Sequence, residues 1–269
     1  MQALQQSAYP IGHNYRAQSA HLKHRQIYEF LLRNMRDVLA DLKARGLGTR
    51  LLEIGAGDGG FSEPALAYGC RVTVTEMSLP SYQELQGRYG GNEYFEALFD
   101  EDGSLSVVGD RQFTGILYAS VLHHIPDYIG AINKSLTHLA PGGSFMSFQD
   151  PLWYPSVKRP VRWFNRSAYL LWRASRGNYA RGVGTLLRRA RKTYDVTNPS
   201  DMVEYHVVRN GVNHELLFTE LNKRFEQVEI FTYWSTPSAF WQRIGERLGL
   251  RTTFGIVAKG YLGNGGADR

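Results

Sequence analysis

The sequence predicts a doubly wound α/β fold, a mostly parallel sheet with helices on both faces and a helical insertion near its far end. Three observations predict it. Short apolar, β-branched runs alternate with helix-period segments from residue 50 to residue 150, as successive βαβ units with right-handed crossovers require. The first run, "RLLEIGAGDGG", passes straight into a glycine-rich turn that opens a helix. The alternation stops at Pro151 and resumes near Asn213, which places an inserted cap between the fifth and sixth strands, because a structureless loop of that length is improbable.

The elements follow in order. From Ser19 to Arg45 apolar residues recur at helical spacing (Ile27, Phe30, Leu31, Met35, Val38, Leu39, Leu42), with Gly46 and Gly48 as stop signals, so an amphipathic helix, broken once, is expected. "RLLEI" is the first strand, "FSEPALAYG" a helix, and "RVTVTEM" a second strand rich in β-branched residues. A helix near Tyr82 to Tyr89, a strand at "EYFEAL", a strand from Gly115 to Ser120, a helix from Tyr128 to Leu139 and a strand within "APGGSFMSFQDP" complete the first five units. "HELLFTELNKRF" reads as helix, and "QVEIFTYW" and "RTTFGIVAKGY" read as two last strands in a hairpin-like end. The expected organisation is a helical lid segment (1–48), a cofactor-binding core (49–150), a basic and aromatic cap (151–212) and the completion of the sheet (213–269).

Composition narrows the function. With 269 residues, 43% of them hydrophobic, the chain buries a full core. The single cysteine, Cys70, excludes an internal disulfide and a multi-cysteine zinc site. Neither a signal-like N-terminus nor a bilayer-length apolar run is present, so a cytoplasmic protein is expected. The formal charge of +6 is local: Lys158 to Lys192 holds 11 Lys and Arg and no acid, leaving 20 basic and 25 acidic residues elsewhere. That segment suits an anionic substrate, a phospholipid surface or a nucleic acid.

Gly55, Gly57 and Gly60 fit G-x-G-x-x-G, in which missing side chains let a ligand approach the backbone at a helix N-terminus. The motif alone does not choose the ligand. Glu53 just before it and Asp58 within it would repel a pyrophosphate and attract a ligand with an amino group and a sulfonium. Glu76 ends the second strand 21 residues after Gly55, where such folds place a carboxylate on ribose hydroxyls.

In order and spacing, "LLEIGAGDGG", "VTVTE", "YASVLHHIPD" and "LAPGGSF" resemble the successive motifs of class I S-adenosylmethionine-dependent methyltransferases of the small-molecule type. The resemblance covers Arg50 to Asp150 and extends to the last two strands. It implies S-adenosyl-L-methionine as cofactor and a seven-stranded sheet with an antiparallel final strand. By it, Glu53, Gly55 and Gly57 pack the methionine portion, Glu76 binds the ribose, and Phe99 and Asp100 hold the adenine, although "ALFDEDGS" departs from the usual acidic motif; Ala56 and Met77 belong to the same cofactor-binding set. Ser120, after the fourth strand, belongs to the same expected set.

His123 and His124 end the fourth strand, beside the glycine turn. If strand geometry persists there, their side chains point to opposite sides, so one at most faces the acceptor. Imidazole can take a hydroxyl proton during in-line methyl transfer. The plant small-molecule O-methyltransferases carry a general-base histidine in a stretch like "LHDW", with which "LHHIPD" aligns His123 and puts His124 where those enzymes have Asp. A metal role is disfavoured, since no third ligand stands at a familiar spacing. The Asn/Asp-Pro-Pro-Tyr/Phe motif of nucleic-acid amino-methylating enzymes is absent, which disfavours a nucleic-acid acceptor.

The cap stretch "VRWFNRSAYLLWRASRGNYARG" interleaves Arg with Trp, Tyr and Leu. It could wall an aromatic pocket for an anionic group, or lay a helix on a membrane surface and so reach a lipid-like acceptor. Trp153, His206, Arg209 and Asn213 are the expected acceptor contacts, with Tyr15 and Arg16 as lid residues. The reading that follows is methyl transfer to a hydroxyl of a small or lipid-like natural product. Two alternatives stand beside it: a nicotinamide-dependent oxidoreductase, and a non-enzymatic cofactor-binding scaffold that recruits RNA or membrane through the basic cap.

Overall fold

The computed structural model describes residues 19–174 and 210–263. Seven strands, β1 (Arg50–Ile54), β2 (Arg71–Glu76), β3 (Phe95–Phe99), β4 (Phe113–Ala119), β5 (Leu139–Pro151), β6 (Phe225–Tyr233) and β7 (Thr253–Tyr261), form one sheet. Their order is β3-β2-β1-β4-β5-β7-β6. The pairings are parallel except that β7 runs antiparallel to both neighbours, β5 and β6. The chain winds from β1 to one edge and returns to place β4 on the other side of β1. The topological switch therefore lies between β1 and β4, where ligands of such sheets bind.

Both faces of the sheet are covered, which is why the central strands read as nearly continuous apolar runs. Alternate residues serve opposite faces: Leu51, Val72, Val74 and Leu117 join one core, and Leu52, Ile54, Ile116 and Tyr118 the other. The first core is closed by helix α2 (Arg25–Ala44), whose Leu31, Met35, Val38, Leu39 and Leu42 are fully buried, each contributing about 1.5–3 kcal/mol. A short α1 (Ala20–Lys23) precedes α2. The expected break falls at His24, which is extended (φ −92°, ψ 105°) and whose Nε2 lies 2.8 Å from Thr236 O.

Helices α3 (Ser62–Ala67) and α4 (Leu79–Tyr89) follow β1 and β2, and α5 (Tyr128–Leu136) links β4 to β5. Beyond β5 come α6 (Arg159–Ala174), α7 (His214–Asn222) and α8 (Ala239–Arg247). The inserted segment leaves and re-enters the sheet at one place: Leu152 bridges Val212, and Val212 N–H donates to Pro151 O at 3.0 Å. Gly211, at φ 88°, is obligatory there, since a Cβ would lie 2.1 Å from Leu152 O.

Two expectations change. The last strands are not a bare hairpin, because α8 stands between them, capped by Ser238, whose Oγ accepts from Trp241 N–H. And β4 ends at Ala119, so the histidines lie not on a strand but in a 3-10 turn, Leu122–His124.

Candidate active site

The carboxyl ends of β1 to β5 place the chemistry-bearing residues together. Gly55 and Gly57 adopt φ of 67° and 59°, conformations that L side chains resist. At Gly55 a Cβ would also lie 2.9 Å from Val121 Cγ2 in the loop after β4. Gly55 N–H donates to Thr75 O at 2.9 Å, tying the bend to β2. Ala56 is 9% exposed within it.

Glu76, at the end of β2, braces this bend. Its Oε2 accepts from Gly57 N–H and its Oε1 from Ser78 N–H, both at 2.9 Å. Each oxygen keeps a further acceptor direction, enough for a pair of vicinal hydroxyls. Glu53 is 1% exposed and accepts from Ser62 Oγ. Burial, with Asp58 and Glu76 adding to it, pushes the Glu53 carboxyl up to about 8. Phe99 pairs opposite Glu76 in the β2–β3 register, and its ring lies 5.7 Å from Tyr82. Asp100 next to it is buried: Oδ2 accepts from Leu105 N–H at 3.0 Å, whereas Oδ1 has no hydrogen-bond partner. Burial raises its pKa and that of Glu76. Met77 is half-buried beside Gly103.

Among the described residues, none of Glu53, Glu76 and Asp100 forms an ion pair. Three buried carboxyls with unspent acceptor capacity, two of them beside a glycine-rich bend and the third at the end of β3, are a poor cradle for a pyrophosphate. They fit a cationic nucleoside ligand, whose charge would relieve their burial. The residues present thus suit S-adenosylmethionine.

The loop after β4 carries the second group. Ser120 has φ 63°, held by its N–H donating to Phe148 O at 2.7 Å; such strain in a non-glycine residue concentrates at functional sites. The 3-10 turn then brings the rings of His123 and His124 to 3.9 Å between centroids. The two imidazoles therefore sit side by side, and the expectation of opposite faces fails with the strand it assumed.

His123 is oriented by a residue the sequence did not single out as its partner. Asp150, fully buried at the end of β5, places Oδ1 2.8 Å from His123 Nδ1 and accepts the His123 backbone N–H at 3.1 Å. Its Oδ2 accepts from Ser147 Oγ at 2.8 Å. Asp150 reaches this position through a bulge: the β5–β7 register shifts between Phe148 and Asp150, and the intervening Gln149 has φ 66°, a device that re-aims side chains beside active sites. Burial pushes the Asp150 carboxyl up to about 7 and the His123 imidazole down to about 3, the latter with a contribution from His21.

His21 itself is a second unforeseen residue. Its ring stacks on Phe61 at 6.0 Å, it is 4% exposed, and its Nδ1 has no hydrogen-bond partner. Burial holds it down to about 3, hence neutral. The only sequence signal was a histidine at the start of the lid helix. Of the expected acceptor contacts, Trp153 is half-buried just after β5. Asn213 caps α7, its Oδ1 accepting from Leu216 N–H at 3.0 Å. Tyr15, Arg16, His206 and Arg209 lie outside the described residues. Among the described residues no group of three His, Cys, Asp or Glu could hold a metal ion, and no helix is long and apolar enough to cross a membrane.

Fold and site together define a doubly wound protein built to hold a cationic nucleoside cofactor at its switch point. A family model described as a methyltransferase domain matches residues 22–190, and the chain belongs to that family, the class I S-adenosylmethionine-dependent methyltransferases. The nicotinamide-dependent alternative falls with that membership. No curated protein sequence matches the chain significantly. Among solved structures, the chain is similar to the N-methyltransferase NodS from Bradyrhizobium japonicum WM9 (18% identity, 84% of this chain and 86% of that one, TM-score 0.45). It is also similar to the CurJ carbon methyltransferase (18%, 80% and 49%, TM-score 0.47) and to the CcbJ methyltransferase from Streptomyces caelestis (21%, 40% and 47%, TM-score 0.34). The chain spans about half the length of the CcbJ and CurJ chains. What those enzymes methylate is a property of those enzymes.

Proposed function

We propose that this methyltransferase acts on a hydroxyl of a small or lipid-like acceptor bearing an anionic group, with His123 as general base. The observation that carries the reading is the 2.8 Å contact between His123 Nδ1 and the buried Asp150 carboxyl. With Asp150 ionised, the proton sits on Nδ1 and the Nε2 lone pair is set for an incoming proton. S-adenosylmethionine, when bound, would supply the methyl group to the acceptor oxygen, and His123 Nε2 would take the hydroxyl proton. Asp150 then faces an imidazolium and stabilises it, as a buried carboxylate does for a general-base histidine.

The cofactor supplies an activated methyl group; the residues here hold and align it. Glu76 would accept from ribose hydroxyls and Asp100 Oδ1 from the adenine amino group, and the bend beside Glu53 would pack the methionine portion, with Ala56, Met77, Phe99 and Ser120 completing the expected set. Asp150→Asn should lower kcat about a hundredfold or more, the usual worth of a correctly set general base, with cofactor affinity kept. Full activity of Asp150→Asn and of His123→Ala, measured with an isotopically labelled methyl donor and a panel of phenolic and aliphatic hydroxyl acceptors, would reject the assignment.

A further inference from the structure

Helix α6 presents two opposite characters. Its inner stripe packs on the core domain: Ala168 is fully buried, and the Phe164 ring meets Trp234 at 5.7 Å and Trp241 at 5.5 Å. Its outer side exposes Trp163 (67%), Leu171 (53%) and Leu170 (37%). Single exposed apolar residues are ordinary. Here, though, three of the ten large exposed hydrophobics among the described residues stand on one helix, and Phe240, 64% exposed, stands on α8 beside Trp241, the residue on which Phe164 of α6 packs.

Among the described residues of α6, Arg159, Arg162 and Arg166 are exposed. At the α-helical repeat, the three apolar residues span roughly 100° of the helix circumference and the three arginines fill the flank beside them. No Asp or Glu occurs from Lys158 to Lys192. An aliphatic and indole strip bordered by guanidinium groups is the pattern of a helix lying in the headgroup boundary of a bilayer.

We propose that α6, with Phe240 of α8, docks this protein on an anionic phospholipid membrane. Charge complementarity selects that occupant. A second copy would set arginines against arginines with no acid on the helix to pair them. RNA would engage the guanidinium groups but leave Leu170 and Leu171 in water, since bases stack on aromatic and guanidinium planes. A bilayer with anionic headgroups takes both flanks at once. The placement also bears on chemistry: α6 begins nine residues after Asp150 in the chain, and docking would bring the enzyme to acceptors that reside in the bilayer. Resting on the methyl-transfer reading, this makes the acceptor an amphiphile drawn from the membrane.

The test is co-sedimentation of the full chain with vesicles of equal parts phosphatidylcholine and phosphatidylglycerol, and with vesicles of phosphatidylcholine alone. Partition into the mixed vesicles should exceed that into phosphatidylcholine at least about tenfold and fall as salt is raised. Trp163→Ser combined with Leu171→Ser, and separately Arg162→Glu combined with Arg166→Glu, should each lower it about tenfold, whereas Lys134→Glu on α5 should not. Because Cys70 is buried, a polarity-sensitive fluorophore on Leu171→Cys reports that site, and its emission should shift to the blue on mixed vesicles. Calorimetric titration with S-adenosylmethionine, unchanged in these variants, separates failure of docking from failure of the methyltransferase reading. Absence of partition into mixed vesicles, equal partition of the variants, a dimer dispersed by the Trp163 and Leu171 changes, or RNA binding without vesicle binding would each overturn the proposal.

Discussion

At the scale of residues, protons decide the behaviour of the site. Asp150 must be ionised for His123 to present its Nε2 lone pair, and burial holds that carboxyl near 7. Activity should therefore rise with pH through about 7, and Asp150→Asn should remove that limb from the pH–rate profile; a limb retained in the variant would detach it from Asp150. Glu76→Ala removes both carboxylate oxygens from the bend and should raise the cofactor Kd about tenfold to a hundredfold, the worth of charge-assisted hydrogen bonds, which calorimetry reads directly. Glu53 and Glu76 were legible in the sequence because they end strands beside a glycine turn. Asp150 was not legible as the partner of His123, since that contact depends on the β4–β5 pairing and on a bulge at Gln149. His21 enters the site only through the packing of α1 on Phe61.

At the scale of elements, periodicity revealed those that bury one face or both. α2 and the central strands stood out, and one break in the N-terminal helical segment was expected, though its position at His24 was not. The 3-10 turn carrying His123 and His124 was hidden, because "YASVLHH" carries the strand-like run three residues beyond Ala119, to Leu122. Helix α8 was hidden because it is short, spanning Ala239–Arg247. Gly245 on α8 packs against Trp234 so closely that a Cβ would lie 2.3 Å from the indole. Helix propensity alone would make Gly245→Ala stabilising by about 1 kcal/mol. The clash reverses the sign: we predict destabilisation of about 1–3 kcal/mol, visible as a lowered midpoint in urea, and a raised midpoint would show that Trp234 yields.

At the scale of the molecule, the parallel sheet, its switch point and its antiparallel β7 were legible from alternation and resemblance, while the cap beyond Ala174 falls largely outside the described residues. Buried ionisable groups near the cleft set a stability window. His21 and His123 are held near 3, below their ordinary 6.5; the unfolded chain gains their protons first, so stability present above pH 6.5 is lost as pH falls toward 3. Glu53, raised to about 8 from 4.5, acts oppositely, its contribution being complete below 4.5 and lost as pH rises through 8. His21→Phe should flatten the acid limb of a thermal-melt series, and an unchanged limb would remove His21 from that balance. A cationic ligand favours ionised Glu53, so cofactor affinity should strengthen as pH rises toward 8. The most direct measurement of the central claim is calorimetric titration of the full chain at pH 8 with S-adenosylmethionine and, separately, with NADH. Saturable binding of the sulfonium compound, weakened at least about tenfold in Glu76→Ala, with no binding of NADH, is the predicted result. Tight NADH binding, or S-adenosylmethionine affinity indifferent to Glu76, would contradict it.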